Sequence, residues 1–319
     1  NIRRIYMNFS INICGFGFVG GSIGHVLEKN NIHYNVYDVI TPIKTGTYSY
    51  YDDINNMVNE SENELDMPRF THDVDRQQGT NIYFISVPTP SDDDGNCDTS
   101  IVEKVVKDLS LAIKKKSIIL IKSTVKPGTI RELYEKYHNE LVDIVFCPEF
   151  LRELTAKDDM YNANFSLFGN HSGKDDDTTE KLINLFTNYM YKHKKLPFYK
   201  RLLSQKGGFK CYTRTFEEME LFKYTINTFL AVKVWYFNEI YEICNKFNID
   251  YQSFKTLFPL EPRIGKYGTT VPGDDGRGFS KKCLPKECRG MKGLQNELNI
   301  PNNVLDEILT RNNYFRSLE

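Results

Sequence analysis

The run Gly15-Phe16-Gly17-Phe18-Val19-Gly20 constrains this chain more than any other feature, because three glycines at that spacing suit very few backbone paths. Phe9 to Cys14, just before it, alternates as a strand does, and Ser22 to Glu28 carries apolar residues at helical spacing. A strand, a tight turn and a helix therefore follow in direct succession. Gly15 permits the sharp turn, Gly17 lets a pyrophosphate approach the backbone, and Gly20 lets helix and strand pack closely. The helix start, with Phe18 and Val19, offers N–H donors to the anion. A glycine turn alone is common, so the context decides. Asn35 to Val39 reads as a second strand, and Asp38 near its end is where a carboxylate accepts hydrogen bonds from an adenosine ribose. No second basic residue follows Asp38 directly, which favours NAD over NADP.

Further apolar runs at Ile82 to Val87, Ile118 to Ile121 and Ile144 to Phe146 alternate with helical stretches at Ile101 to Lys114 and Ile130 to His138. That alternation predicts an α/β fold, a Rossmann-type, doubly wound, mostly parallel sheet covered on both faces. The pattern breaks from Phe198 to Thr213, and Phe216 to Phe247 then reads as one long helix. We expect an NAD-binding domain over residues 9–205 and, over 206–319, the long helix with a small all-α domain. Such a helix is longer than one domain needs, which points to a span between domains or a subunit contact. Gly265 to Gly278 reads as a Gly/Pro/Asp-rich loop and Lys174-Asp175-Asp176-Asp177 as a solvated turn.

Composition narrows the partners. Lys+Arg (41) and Asp+Glu (42) nearly cancel, without a broad cationic field for nucleic acid or an anionic membrane. The seven cysteines are odd in number and lack a CxxC pair, which argues against a disulfide framework or a zinc site and for a reducing compartment. No apolar run suits a membrane span, so the expectation is a cytoplasmic protein that binds no metal.

Four segments beyond the turn occur in one order: Ser123-Thr124-Val125-Lys126-Pro127-Gly128-Thr129; Pro148-Glu149-Phe150-Leu151-Arg152-Glu153; Glu220-Leu221-Phe222-Lys223 through Asn227 with Phe237-Asn238-Glu239; and Cys283-Leu284-Pro285-Lys286-Glu287. Together they resemble the UDP-glucose 6-dehydrogenase branch of the UDP-glucose/GDP-mannose dehydrogenases, and Arg263-Ile264-Gly265 fits the glucose branch. The resemblance implies oxidation of UDP-glucose to UDP-glucuronate by two hydride transfers to NAD, with the aldehyde level held on a cysteine as thiohemiacetal and then thioester. Cys283 would be that nucleophile. Lys223 and Asn227, four residues apart on one helix face, would hold an oxyanion. Glu149 would act as acid/base with a water near Thr124, and Glu287 would stand beside the cysteine chemistry. The resemblance also assigns cofactor contacts to Val87, Pro88, Thr89, Ser123, Thr124, Glu153 and Lys286, and substrate contacts to Glu149, Phe150, Leu151 and Arg152. Arg263 would reach a substrate phosphate from the neighbouring subunit, which implies a homodimer through the long helix and the all-α domain.

Two departures stand near the chemistry. The family has Gly-Gly-Ser before its cysteine and Asp after its lysine, whereas this chain has Ser280-Lys281-Lys282 and Glu287. Two lysines there favour a thiolate but also add bulk to a sugar pocket. The resemblance further implies a UDP-binding third domain that these 319 residues do not include. The alternative function is therefore a catalytically impaired NAD-binding or regulatory protein derived from this family.

Overall fold

Every residue of Phe9–Cys14 (β1) is buried, the mark of a central strand covered by helices on both faces. The computed structural model describes residues 9–40, 48–59, 79–91, 97–194, 208–274, 276–280, 283–301 and 303–318. After β1 the sheet takes Tyr34–Tyr37 (β2), Tyr48–Tyr51 (β3), Thr80–Ile85 (β4), Ser117–Ile121 (β5), Val142–Phe146 (β6), Phe165–Asn170 (β7) and Lys210–Thr215 (β8). Their spatial order is β3-β2-β1-β4-β5-β6-β7-β8. β1 to β6 run parallel, β7 pairs antiparallel with β6, and β8 lies parallel to β7. The strand order reverses between β1 and β4, and at such a reversal the carboxyl ends open a ligand crevice. The doubly wound α/β fold expected from the alternation is the one observed.

Among the described residues, the helices that cover this sheet include Phe18–Lys29 (α1), Ser100–Ala112 (α2), Thr129–Tyr137 (α3), Ala156–Tyr161 (α4) and Asp177–Leu185 (α5). On one face Ile11, Ile13, Val36, Ile82 and Phe84 share a core with Val26 and Leu27 of α1 and Leu182 and Leu185 of α5. On the other, Tyr83, Ile85, Ile119 and Ile121 pack with Val102, Val105, Val106 and Leu109, which form a single apolar stripe along α2. Burying each such side chain stabilises by about 2 kcal/mol, so the cores on the two faces fix the strands and with them the positions of their carboxyl ends.

Three strands escape the periodicity reading. β3 and β8 lie at the two edges of the sheet, where half-exposed Tyr and Lys/Arg residues replace the β-branched runs of central strands. The break expected from Phe198 to Thr213 is thus a strand in its last residues, and 195–207 lie outside the described residues. β7 also escapes that reading, because Phe165 is exposed and its buried stretch holds only Leu167 and Phe168 before Gly169 and Asn170. β2 ends at Tyr37 rather than Val39, which is 84% exposed. The acidic turn at Lys174 to Asp177 is structural rather than merely solvated. Asp176 caps α5 in a capping box with Thr179, and Asp175 accepts from the Thr213 hydroxyl.

The chain divides into two compact units, Asn1–Thr89 with Thr99–Glu220, and Pro90–Asp98 with Leu221–Glu319. The boundary falls inside the long helix, Phe216–Phe247 (α6), whose bounds match the sequence expectation. The second unit continues with Tyr251–Phe254 (α7), Cys283–Glu297 (α8) and Asn303–Ser317 (α9). Among its described residues there is no strand, only isolated bridges. α8 crosses α6 closely at Gly290, where an added Cβ would stand 2.7 Å from the Tyr224 ring. One small apolar cluster, Ala231, Phe279, Cys288, Leu305 and Ile308, joins α6, α8 and α9.

Candidate functional site

The glycine turn crosses the crevice between β1 and β4. Gly15 has φ +87°, and a Cβ there would meet the Ser86 carbonyl oxygen at 2.8 Å. At Gly20 a Cβ would lie 2.0 Å from the Gly15 carbonyl oxygen, so helix and turn approach too closely for any side chain. At Gly17 nothing lies within 4 Å of a Cβ, so the backbone faces open space. α1 starts beside it without a side-chain cap and without an acidic residue in its first turn. Open backbone and uncapped N–H donors are what a pyrophosphate requires, so the residues present fit a dinucleotide.

Most of the other cofactor candidates in this unit lie beyond the carboxyl ends of its strands. Asp38 follows β2 directly, and its carboxylate accepts from Phe16 N–H at 2.5 Å and Ile40 N–H at 3.0 Å, which ties it to the turn. Beyond β4, Ser123 Oγ donates to the Val87 carbonyl at 2.7 Å, and Thr89 Oγ1 donates to the Thr124 carbonyl at 2.8 Å. Val87, Pro88, Thr89, Ser123 and Thr124 therefore belong to one stitched pair of strand-end loops. Glu153 reaches a cavity of about 520 Å³ shared with Gly17, Phe18 and Gly21.

Glu149 and Glu153 do not form the helical i,i+4 pair that their spacing allows. Residues 148–152 are irregular, and a 3₁₀ turn begins only at Glu153. Glu149 turns back to accept from Leu151 N–H at 2.6 Å, close to Phe150, while Glu153 is exposed. Arg152 is engaged by Asp159, with Nε–Oδ2 at 3.0 Å and Nη2–Oδ1 at 2.5 Å.

The roles of three groups in this unit, Glu220 of the third motif among them, escape the sequence reading. Lys122 is buried and donates from Nζ to the Cys147 carbonyl at 2.9 Å, which fixes the start of the Pro148–Glu153 loop against β5. His25 lines the cavity at the glycine turn, and burial, then Lys29 and Lys157, hold its pKa below the ordinary histidine value. Glu220 is fully buried and accepts from Gly128 N–H at 2.7 Å and Ile130 N–H at 2.9 Å, which caps α3 from a distant part of the chain. Burial pushes its carboxyl up to about 8 against the opposing pull of those two N–H bonds.

In the second unit Lys223 and Asn227 share a face of α6 and are only 3% and 8% exposed. A solvated lysine, the ordinary alternative at such a position, is excluded. Cys283 is exposed and opens α8, with Lys286 and the buried Glu287 on the following turn. Lys281 and Lys282 lie outside the described residues. The Arg263 side chain is 89% exposed and forks onto Glu261 at 2.9 and 2.7 Å. None of the seven cysteines is in a disulfide. Among the described residues no group of three or more His, Cys, Asp or Glu gathers as metal ligands, and no helix is long and apolar enough to cross a membrane.

Comparison with known proteins gives this geometry a setting. The chain is 31% identical to YtcA of Bacillus subtilis over 223 residues, 68% of this chain and 47% of that protein. It is 29% identical over 315 residues, 95% of this chain and 71% of the relative, to the UDP-glucose 6-dehydrogenase of Campylobacter jejuni. It thus spans about half the length of several curated relatives that it matches. In fold it superposes on a UDP-glucose dehydrogenase from Pyrobaculum islandicum with a TM-score of 0.72 at 22% identity, covering 98% of this chain and 69% of that one. Residues 9–189 match the UDP-glucose/GDP-mannose dehydrogenase family, NAD binding domain, and residues 217–314 match the central domain of the same family.

Proposed function

The chain belongs to the UDP-glucose/GDP-mannose dehydrogenase family, with an NAD binding domain and a central domain, and on that premise we propose that it oxidises UDP-glucose to UDP-glucuronate. The observation that carries this reading is Cys283, an exposed thiol at the first turn of α8, where the helix dipole favours negative charge. NAD, when bound, accepts a hydride in each of two oxidations. The Cys283 thiolate adds to the aldehyde carbon left by the first, and the second converts the thiohemiacetal to a thioester. Water then adds its oxygen to the thioester carbon, the C–S bond breaks, one water proton restores the Cys283 thiol, and the other is released as the carboxylate departs.

The remaining residues take supporting roles in this proposal. The Lys223 ammonium and the Asn227 amide stabilise the oxygen that gains charge at each addition, and their burial supports the assignment because a low-dielectric setting strengthens it. Glu149 moves the proton of the attacking water near Thr124. Lys286 touches the cofactor, Glu287 steadies the cysteine helix, and Phe150, Leu151 and Arg152 line the sugar. In this division residues 9–205 serve the cofactor and 206–319 serve the cysteine and the subunit contact, in a reducing cytoplasm where free thiols persist.

A homodimer is part of the proposal, with Arg263 reaching the neighbouring subunit's substrate phosphate. Phe222, Phe229, Tyr236 and Ile243 support it, since all four are exposed and stand seven residues apart along α6. That is the seven-residue repeat of a helix–helix seam.

The test mixes the chain with NAD and UDP-glucose and follows NADH by absorbance. Two NADH per sugar, abolished by Cys283→Ser with NAD affinity intact, is the expected result. No turnover while NAD still binds would overturn the reading. The regulatory alternative is favoured by one observation, the Ser280-Lys281-Lys282 stretch where the family has glycines. It predicts NAD binding without saturable UDP-glucose binding in calorimetry.

A further inference from the structure

Arg277 lies in the Gly/Pro/Asp-rich loop, outside every motif that the sequence offers, yet its side chain is only 11% exposed. Its guanidinium stacks over the rings of Tyr241 and Phe315, at 4.7 and 5.1 Å from their centroids. Nε donates to Asn238 Oδ1 at 2.9 Å and Nη2 to Glu242 Oε1 at 2.6 Å, so α6 supplies both acceptors. The same Asn238 oxygen accepts from Gly278 N–H at 3.0 Å. One residue on, the Asn312 amide of α9 pairs with both backbone groups of Phe279, accepting from N–H at 2.7 Å and donating to C=O at 2.8 Å. Arg316 donates to the Arg277 carbonyl at 3.1 Å. Gly278 has φ +68°, and a Cβ there would meet Asn312 Oδ1 at 2.5 Å, so the clasp closes only on a glycine.

We propose that Arg277, Asn238 and Asn312 are positioning residues that set where Cys283 presents its sulfur. This rests on the reading of Cys283 as nucleophile. An exposed residue at the first turn of a helix takes its place from the segments that flank it. Downstream, α8 is anchored by Cys288 in the apolar cluster with Phe279, Leu305 and Ile308. Upstream, the clasp ties residues 277–279 to α6 and α9, and Phe279 enters that same cluster. α6 also carries Lys223 and Asn227, so the clasp references the cysteine segment to the helix that bears the oxyanion groups. A lysine cannot replace Arg277, because a point charge neither forks onto two acceptors nor stacks flat between two rings.

The experiment measures alkylation of Cys283 by iodoacetamide in the full chain, by peptide mass spectrometry, from about pH 6 to 9, beside kcat and KM. Four of the other six cysteines are buried, so the Cys283 peptide reads cleanly. Arg277→Lys and Asn312→Asp are each expected to change the rate–pH profile of Cys283 and to lower kcat about tenfold or more, with KM for NAD within about twofold. Unchanged profiles and unchanged kcat in both folded variants would overturn the proposal. Should Arg277→Lys fail to fold, Asn312→Asp decides alone, because it keeps an acceptor for the Phe279 N–H and sets a charged carboxylate against the Phe279 carbonyl where the amide donated. If the wild-type chain proves inactive, the nucleophile reading falls, whereas the alkylation profile still reports whether the clasp places the thiol.

Discussion

The sheet unit and the helical unit position their working groups by different physics. In the first, the groups at the crevice are strand ends and a glycine turn, held by backbone hydrogen bonds and by a core that fills both faces of the sheet. Side chains such as Asp38, Ser123 and Thr89 only stitch loops that the strands already place, and at Gly20 none could fit. In the second unit no sheet supplies a ladder, and the apolar clusters are small. Loop backbone is paired instead by side chains, with the Asn238 and Asn312 amides doing for residues 278 and 279 what a neighbouring strand does in the first unit. The difference teaches that close backbone approach leaves a mark in the sequence, as glycine, whereas side-chain pairing of a loop leaves almost none.

The largest expected effect that would break this contrast comes from Gly20→Val. With a Cβ 2.0 Å from the Gly15 oxygen, the turn must open, and we expect loss of NAD binding and a destabilisation of about 3 kcal/mol. Calorimetric titration with NAD and a denaturant curve check it. Wild-type affinity would show that the turn is not set by backbone contact.

Glu220 sharpens the contrast, since here a side chain of α6 pairs two backbone groups at the start of α3 from across the sheet unit. Its folded-state pKa of about 8 lies above the unfolded value, so it binds a proton in the folded state that the unfolded chain releases first. Its stability contribution is therefore complete below the unfolded pKa, near 4.5, and is lost as pH rises through about 8. In Glu220→Gln that fall should flatten, by roughly a few kcal/mol over the window. Parallel pH–stability curves for the two proteins would show that Glu220 does not titrate there.

The smallest effect on folding is expected from Phe229→Glu, because this residue is 60% exposed. NAD affinity and unfolding should stay near wild type, within about 0.5 kcal/mol, while sedimentation reports a smaller assembly. A dimer that survives would move the subunit contact away from the α6 face.

Much of the fold was legible because its signals are local. Helical spacing marked α6 over its full length, and the glycines marked the turn, since positive φ and close approach leave no other residue acceptable. The edge strands β3 and β8 were not, because half-exposed strands lack the apolar run that periodicity detects. Motif resemblance picked out Cys283, Lys223 and Asn227, while local periodicity gave only the shared helix face of the last two.

What the sequence by itself determined was therefore the glycine turn, the alternation behind the sheet and the residue types available for the chemistry. Only the tertiary structure decided which polar groups hold those residues in place. Glu220 meets Ile130 across 90 residues, Lys122 meets Cys147 across 25, and Arg277 meets Asn238 across 39. Such partners are chosen by packing, which sets the few places where a buried backbone group needs a donor or acceptor, and no short-range pattern encodes that choice.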